Sequence, residues 1–135
     1  MIDRLAGWSS YGQAALRMMA ALLFLAHGVQ KFFGFPEPSE RGTVQLFSFM
    51  GVAATLELVG GLLLLVGLFT RPVAFLLSGM MAVAYFMAHA PRSLYPILNG
   101  GEPAILFCFI FLFLSMAGPG ALSLDAARGR RIRAA

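Results

Sequence analysis

The stretch AATLELVGGLLLLVGLFTR, residues Ala53–Arg71, decides the fold. A run of roughly 18 apolar residues, rising about 1.5 Å each as a helix, is long enough to cross the hydrocarbon core of a bilayer. Before its closing arginine it carries a single ionisable side chain, Glu57. A charged group at membrane depth costs roughly 2.5–3.5 kcal/mol even on lenient insertion scales, so it calls for a partner or a task. Ala53 and Gly60 stand four and three residues from Glu57, and Gly67 ten, so all share its side of a helix. Small residues let a second helix approach closely. Glu57 is therefore expected to face protein and not lipid.

The rest of the chain agrees with a membrane setting. Of 135 residues, 59% are hydrophobic and 12% charged, which excludes an ordinary soluble domain. That length holds four short spans and little else, so one domain over residues 1–135 is expected. The net charge of +4 does not argue for nucleic acid, because the basic residues gather beside apolar runs. Cys108 is the single cysteine, which leaves no internal disulfide and no Cys-x-x-Cys pair. The first apolar run continues through His27 to about Phe33 without a cleavage pattern, so it reads as a span and not as a removed leader.

Outward from the central run, the sequence predicts spans at about 13–33, 52–69, 72–89 and 103–117. Trp8 and Tyr11 suit the headgroup layer, and Arg17, in the first turns of the first span, is expected to snorkel to the near surface. Residues 34–42 form a turn-rich loop, and Thr43–Met50 is expected to be a short interfacial helix. Pro72 and Pro103 suit the first turns of the third and fourth spans. Ser123 with Asp125 can cap a short tail helix, and the basic tail fills 121–135.

Four spans leave both termini on one side. Arg4, Arg71, Arg128, Arg130, Arg131 and Arg133 fall there, against Lys31, Arg41 and Arg92 on the other, so the positive-inside rule makes the termini cytoplasmic. The expected class is thus all-α: a polytopic transmembrane four-helix bundle with N- and C-termini cytoplasmic. In that frame His27 and Glu57 each lie about six residues, or roughly 9 Å, below the outer ends of their spans. His89 closes the third span on that side and Glu102 opens the fourth, with Lys31 above them. All four spans contribute an ionisable group to one leaflet, the pattern of a polar pocket that opens outward.

Each candidate has a structural alternative. Glu57, His27 and His89 are the expected proton-handling set; a carboxyl that only clamps the bundle, or imidazoles satisfied in its core, are the alternatives. Lys31, Glu102, Tyr85 and Gln30 are the expected ligand-binding set. A helix cap explains Glu102 fully, and packing explains Tyr85 and Gln30. Two His and two Glu suit a divalent metal in donor type, but no pair has His-x-x-x-His or Glu-x-x-His spacing, so a bound metal is the weaker alternative.

Five stretches together carry a family resemblance: LRMMAALLFLAHGVQKFFG (Leu16–Gly34), ATLELVGGLLLLVGLFTRPVA (Ala54–Ala74), MMAVAYFMAHA (Met80–Ala90), NGGEPAILF (Asn99–Phe107) and GPGALSLD (Gly118–Asp125). In order and spacing the chain resembles the DoxX family of small four-span bacterial membrane proteins. The positions matching that family's polar pattern are His27, Lys31, Glu57, His89 and Glu102. The resemblance implies a multi-pass protein of the bacterial inner membrane and membership in, or support of, a quinone-linked redox system, with a redox or periplasmic protein partner. No nucleotide-binding fingerprint, flavin motif or cysteine pair accompanies it. A non-enzymatic scaffold that stabilises another protein, a homo-oligomer, and a small-solute or proton pathway stand as the rival expectations.

Overall fold

A computed structural model describes residues 7–39 and 42–134, with the side chains of Arg131, Arg133 and Ala134 left aside. Arg4 and Arg41, counted in the charge balance, lie outside the described residues. Helix α1 covers Ser9–Phe33, α2 Phe49–Val66 and α3 Thr70–Ala84, which runs on into a π-helical turn at Tyr85–His89. A single turn, α4, covers Pro96–Asn99; α5 covers Glu102–Ala117 and the tail helix α6 Leu124–Ala134. The described residues hold no strand. Three helices, Ser9–Phe33, Phe49–Val66 and Thr70–His89, are long and apolar enough to cross a membrane, and Glu102–Ala117 is a shorter apolar one.

These helices pack as two tight antiparallel pairs, α1 with α2 and α3 with α5; α2 touches α3 less, and α1 barely meets α5. Small residues set the closeness of the first pair. A β-carbon on Gly28 would come 2.9 Å from Leu58 Cγ, and one on Gly61 2.8 Å from Leu25 Cγ. In the second pair the Ser78 hydroxyl donates to the Cys108 carbonyl at 2.8 Å. Between pairs, Gly60 abuts Leu77, while Phe24 meets Phe111 edge-on at 4.9 Å and Phe107 at 5.4 Å. The core therefore sits at mid-height, where Phe24, Leu64, Leu77, Phe111 and Leu114 are buried.

The terminal end is closed by side chains that cap helix ends within and between the pairs. Arg17 is completely buried (0% exposed) and does not snorkel. Its guanidinium donates to the carbonyls of Leu64, at the end of α2, and Leu122, each at 3.0 Å. The fork can reach because Gly67 ends α2 in the left-handed region (φ 69°) and lacks the β-carbon that would collide with it. Gln13 donates to the Gly118 carbonyl at 2.6 Å and Arg71 to that of Met116, covering the end of α5. Ser123 caps α6 by accepting the Ala126 amide at 3.1 Å. Asp125, instead of capping its own helix, accepts the amides of Phe69 (2.9 Å) and Thr70 (2.8 Å) and so caps α3.

Burial alone would push the Asp125 carboxyl up. The Thr70 and Phe69 amides, with the Arg128 charge, outweigh that and hold it below its ordinary range. A depressed folded-state pKa adds stability above the unfolded value, 3.8, and that share is lost as pH falls through the lower folded value. Asp125→Ala is expected to cost about 1 kcal/mol at neutral pH, the worth of a helix cap. It should also flatten the acid limb of a thermal-midpoint profile in detergent; a limb identical to the wild type would contradict the cap.

At the other end, Thr43–Met50 is not the expected interfacial helix. Residues 42–45 run without regular structure and 46–48 turn into α2, whose N-cap Ser48 accepts the Gly51 amide at 3.0 Å. The Val44 amide is spent on the Lys31 carbonyl (3.0 Å), and a β-carbon at Gly51 would collide with the carbonyls of Gln45 and Leu46. The segment folds back on the first turn of α2, which a helix through the same residues could not do.

Candidate functional site

Above the mid-height core, the two pairs part and leave a cavity of about 430 Å³. α1 contributes Phe24, His27 and Lys31; α2 contributes Phe49, Met50, Ala53 and Glu57. The end of α3 brings Met80, Val83, Met87 and His89, and α5 brings Ala104 and Phe107. Arg92, in the following loop, also lines it. The wall is mostly Met, Phe and Ala, with polar groups from three helices and one loop converging in it, the usual make-up of a small-molecule site.

Glu57 is 3% exposed and lies one turn from the Gly60–Leu77 contact that closes the seam below. Lys31 Nζ donates to its Oε1 at 2.5 Å, an ion pair within the α1–α2 unit. Oε2 is buried with no hydrogen-bond partner. A buried oxygen without a donor is costly, so this atom is open to a hydrogen bond from something that enters.

Both imidazoles keep one nitrogen unspent. His27 Nδ1 lies 2.8 Å from the Leu23 carbonyl and His89 Nδ1 3.0 Å from that of Asn99. A carbonyl only accepts, so each Nδ1 carries the proton in these bonds and leaves Nε2 to accept or release another. The π-helical turn, closed by the Ala90 amide on the Tyr85 carbonyl at 2.9 Å, sets His89 at the edge of the cavity, stacked on Tyr85 (6.3 Å, 22°). Buried Asn99 holds that corner: its Nδ2 donates to the Ser93 carbonyl (2.9 Å) and the Tyr85 hydroxyl (3.3 Å), and its Oδ1 accepts the Gly101 amide (2.7 Å).

Of the residues predicted from sequence, His27, Lys31, Glu57 and His89 come together around this cavity. Tyr85 supports His89 from behind, and Gln30 donates to the Glu37 carbonyl at 3.2 Å. Glu102 is exposed at the first turn of α5, where the helix dipole suits an acid; none of these three lines the cavity. Arg92 and Asn99 were not singled out; the Asn99-Gly100-Gly101 turn was the available signal for the latter. Among the described residues no three His, Cys, Asp or Glu side chains gather as a metal-binding group.

The helices, the buried acid and the cavity frame a helical membrane protein with an internal polar site. A family model described as DoxX matches residues 12–90, and the chain belongs to the DoxX family. It is 40% identical to an uncharacterized protein of Haemophilus influenzae, over 92% of this chain and 96% of the relative. It is 30% identical to a Bacillus subtilis protein named "Putative oxidoreductase CatD", over 84% of each. A third relative, the inner membrane protein YphA of Escherichia coli, is 28% identical over 81% of this chain and 84% of the relative. No solved structure matches the chain. As a membrane-embedded DoxX protein, it meets lipid along its exposed apolar helix faces.

Proposed function

We propose that the chain is a four-span protein of the bacterial inner membrane, with cytoplasmic termini, that serves a quinone-linked redox system. The observation that carries this is the unpartnered Glu57 Oε2 in an apolar cavity that His27 and His89 also line. Reducing a quinone to a quinol takes up two electrons and two protons. Glu57 and a histidine supply protons at the cavity and are recharged through its outward mouth beside Arg92. Lys31 holds the Glu57 carboxylate in place between transfers. The electrons come from a protein partner or a small external reductant. The name of the Bacillus subtilis relative supports an oxidoreductase setting, and that of the Escherichia coli relative supports the inner membrane. Glu57→Gln keeps the shape and removes the transferable proton. It is expected to abolish quinone reduction by membranes at normal protein level, and unchanged reduction would rule the role out.

A scaffold role is the second reading, favoured by the exposed Leu94, Tyr95, Ile97 and Leu98 around α4. A scaffold loses its protein partner on substitution of these residues and keeps it in Glu57→Gln, which a pull-down in mild detergent reads directly.

A further inference from the structure

Exposed residues in the cavity lining mark where it opens. One opening lies at the loop end beside Arg92 and His89. Another lies sideways, between α2 and α3. These helices run antiparallel from the Gly60–Leu77 contact, so climbing away from it brings Ala53 level with Val83 and Phe49 level with Met87, roughly 16 Å above at the top. All four line the cavity, yet Phe49, Val83 and Met87 are 66%, 51% and 60% exposed. A residue that lines a cavity while facing the outside marks an opening.

The opposite seam, between α1 and α5, is bridged by aromatic contacts at this height, with the exposed His27 at its edge. Phe107 stacks on Phe111 (5.7 Å), packs against Phe24 and takes the His27 ring edge-on at 5.9 Å. Nor does a side-chain bond tie α2 to α3 above Leu77 among the described residues: Lys31–Glu57 lies within one pair, and His89 and Tyr85 bond with Asn99 within the other. Among the described residues, the bonds that cross between pairs (from the Gln13 and Arg17 side chains and the Ala121 and Asp125 amides) are at the terminal end. The pairs are thus stapled at the far end and free of polar ties at the portal.

We infer that the cavity is loaded from within the bilayer, through the α2–α3 gap, by a long-tailed amphiphile with a hydrogen-bonding, uncharged headgroup. Its head reaches Glu57 Oε2, and its tail stays in the gap against Phe49, Val83 and Met87. An apolar wall at lipid depth suits the tail, whereas a free hydrophilic ion would have to cross that wall to use it. The loop-end mouth is left to water, protons and the electron donor. This rests on the redox reading only for the kind of head; the route stands on the geometry.

The test uses the full chain in nanodiscs and two photoactivatable probes, each with a diazirine at the tail end: an alkylated benzoquinone and a fatty acid. Peptide mapping is expected to place quinone labelling on Phe49, Val83 and Met87, and excess unlabelled alkyl-quinone should compete it away. The fatty acid should spread over outer faces such as Phe109 without competition. Val83→Trp, and separately Met87→Trp, should cut the competable labelling about tenfold, while Val59→Trp on the lipid face leaves it unchanged. Competable labelling at Arg92 or Leu94 instead, or none, overturns the inference. If the fatty acid competes as well as the quinone, the lateral route stands and the headgroup assignment falls. Quinone reduction in Glu57→Gln is read separately, so failure of the redox role does not mimic failure of the route.

Discussion

Replacing Arg17 with leucine is expected to be the most destabilising single change in the protein, at about 3–5 kcal/mol. Burying a guanidinium costs several kcal/mol in itself, so the loss does not equal the sum of its hydrogen bonds. What decides the sign is what stays behind. Arg17 supplies donors to the Leu64 and Leu122 carbonyls, and leucine would leave the buried Leu64 carbonyl without a partner at about 1–3 kcal/mol. It would also remove the cation from the C-terminal end of the α2 dipole. Arg17→Lys keeps the charge but loses the planar fork that spans the two carbonyls, so it should recover part of the loss. Gly67→Ala should resemble the leucine variant, because its β-carbon collides with the guanidinium. Unfolding in mild detergent, followed by circular dichroism, reads all three; an Arg17→Leu midpoint equal to the wild type would remove the staple from the account.

The second large effect is expected at the site. Lys31→Met leaves Glu57 with neither oxygen paired in a buried place, at a cost of about 3 kcal/mol or more. Most of that cost is the stranded carboxylate and not the net worth of the pair. Adding Glu57→Gln should therefore return much of the stability, so the double variant is more stable than Lys31→Met alone. Quinone reduction, by contrast, should stay absent in the double variant. Separation of stability from activity distinguishes a working carboxyl from a clamp; if both returned together, Glu57 would be structural.

The position of Glu57 against protein was legible because its signal is local: one acid in an apolar run, with Ala53 and Gly60 one turn away. The heights of His27, Lys31 and His89 were legible by counting residues along helices. Height does not give azimuth, and that is why Glu102, Tyr85 and Gln30 share the level of the site without lining its cavity. The π-helical turn at Tyr85–His89 compounds this, since an extra residue in one turn shifts every face beyond it. Arg17 was misjudged for a different reason. Near the start of a span, a long basic chain has water within reach by default, and only the arrival of Leu64 and Leu122, 47 and 105 residues away, turns it inward. Asp125 was likewise credited to its own helix, when its acceptors serve the start of α3. Thr43–Met50 has the composition of an interfacial helix, but the backbone contacts of Gly51 with Gln45 and Leu46 exist only once the loop has folded back.

Whether Glu57 meets the head of a quinone inside the cavity is read by infrared difference spectroscopy of the purified protein on addition of an alkyl-quinone. The wild type is expected to show a change in the carboxyl band that vanishes in Glu57→Gln, together with a shifted quinone carbonyl band. Identical difference spectra from the two proteins would contradict that contact.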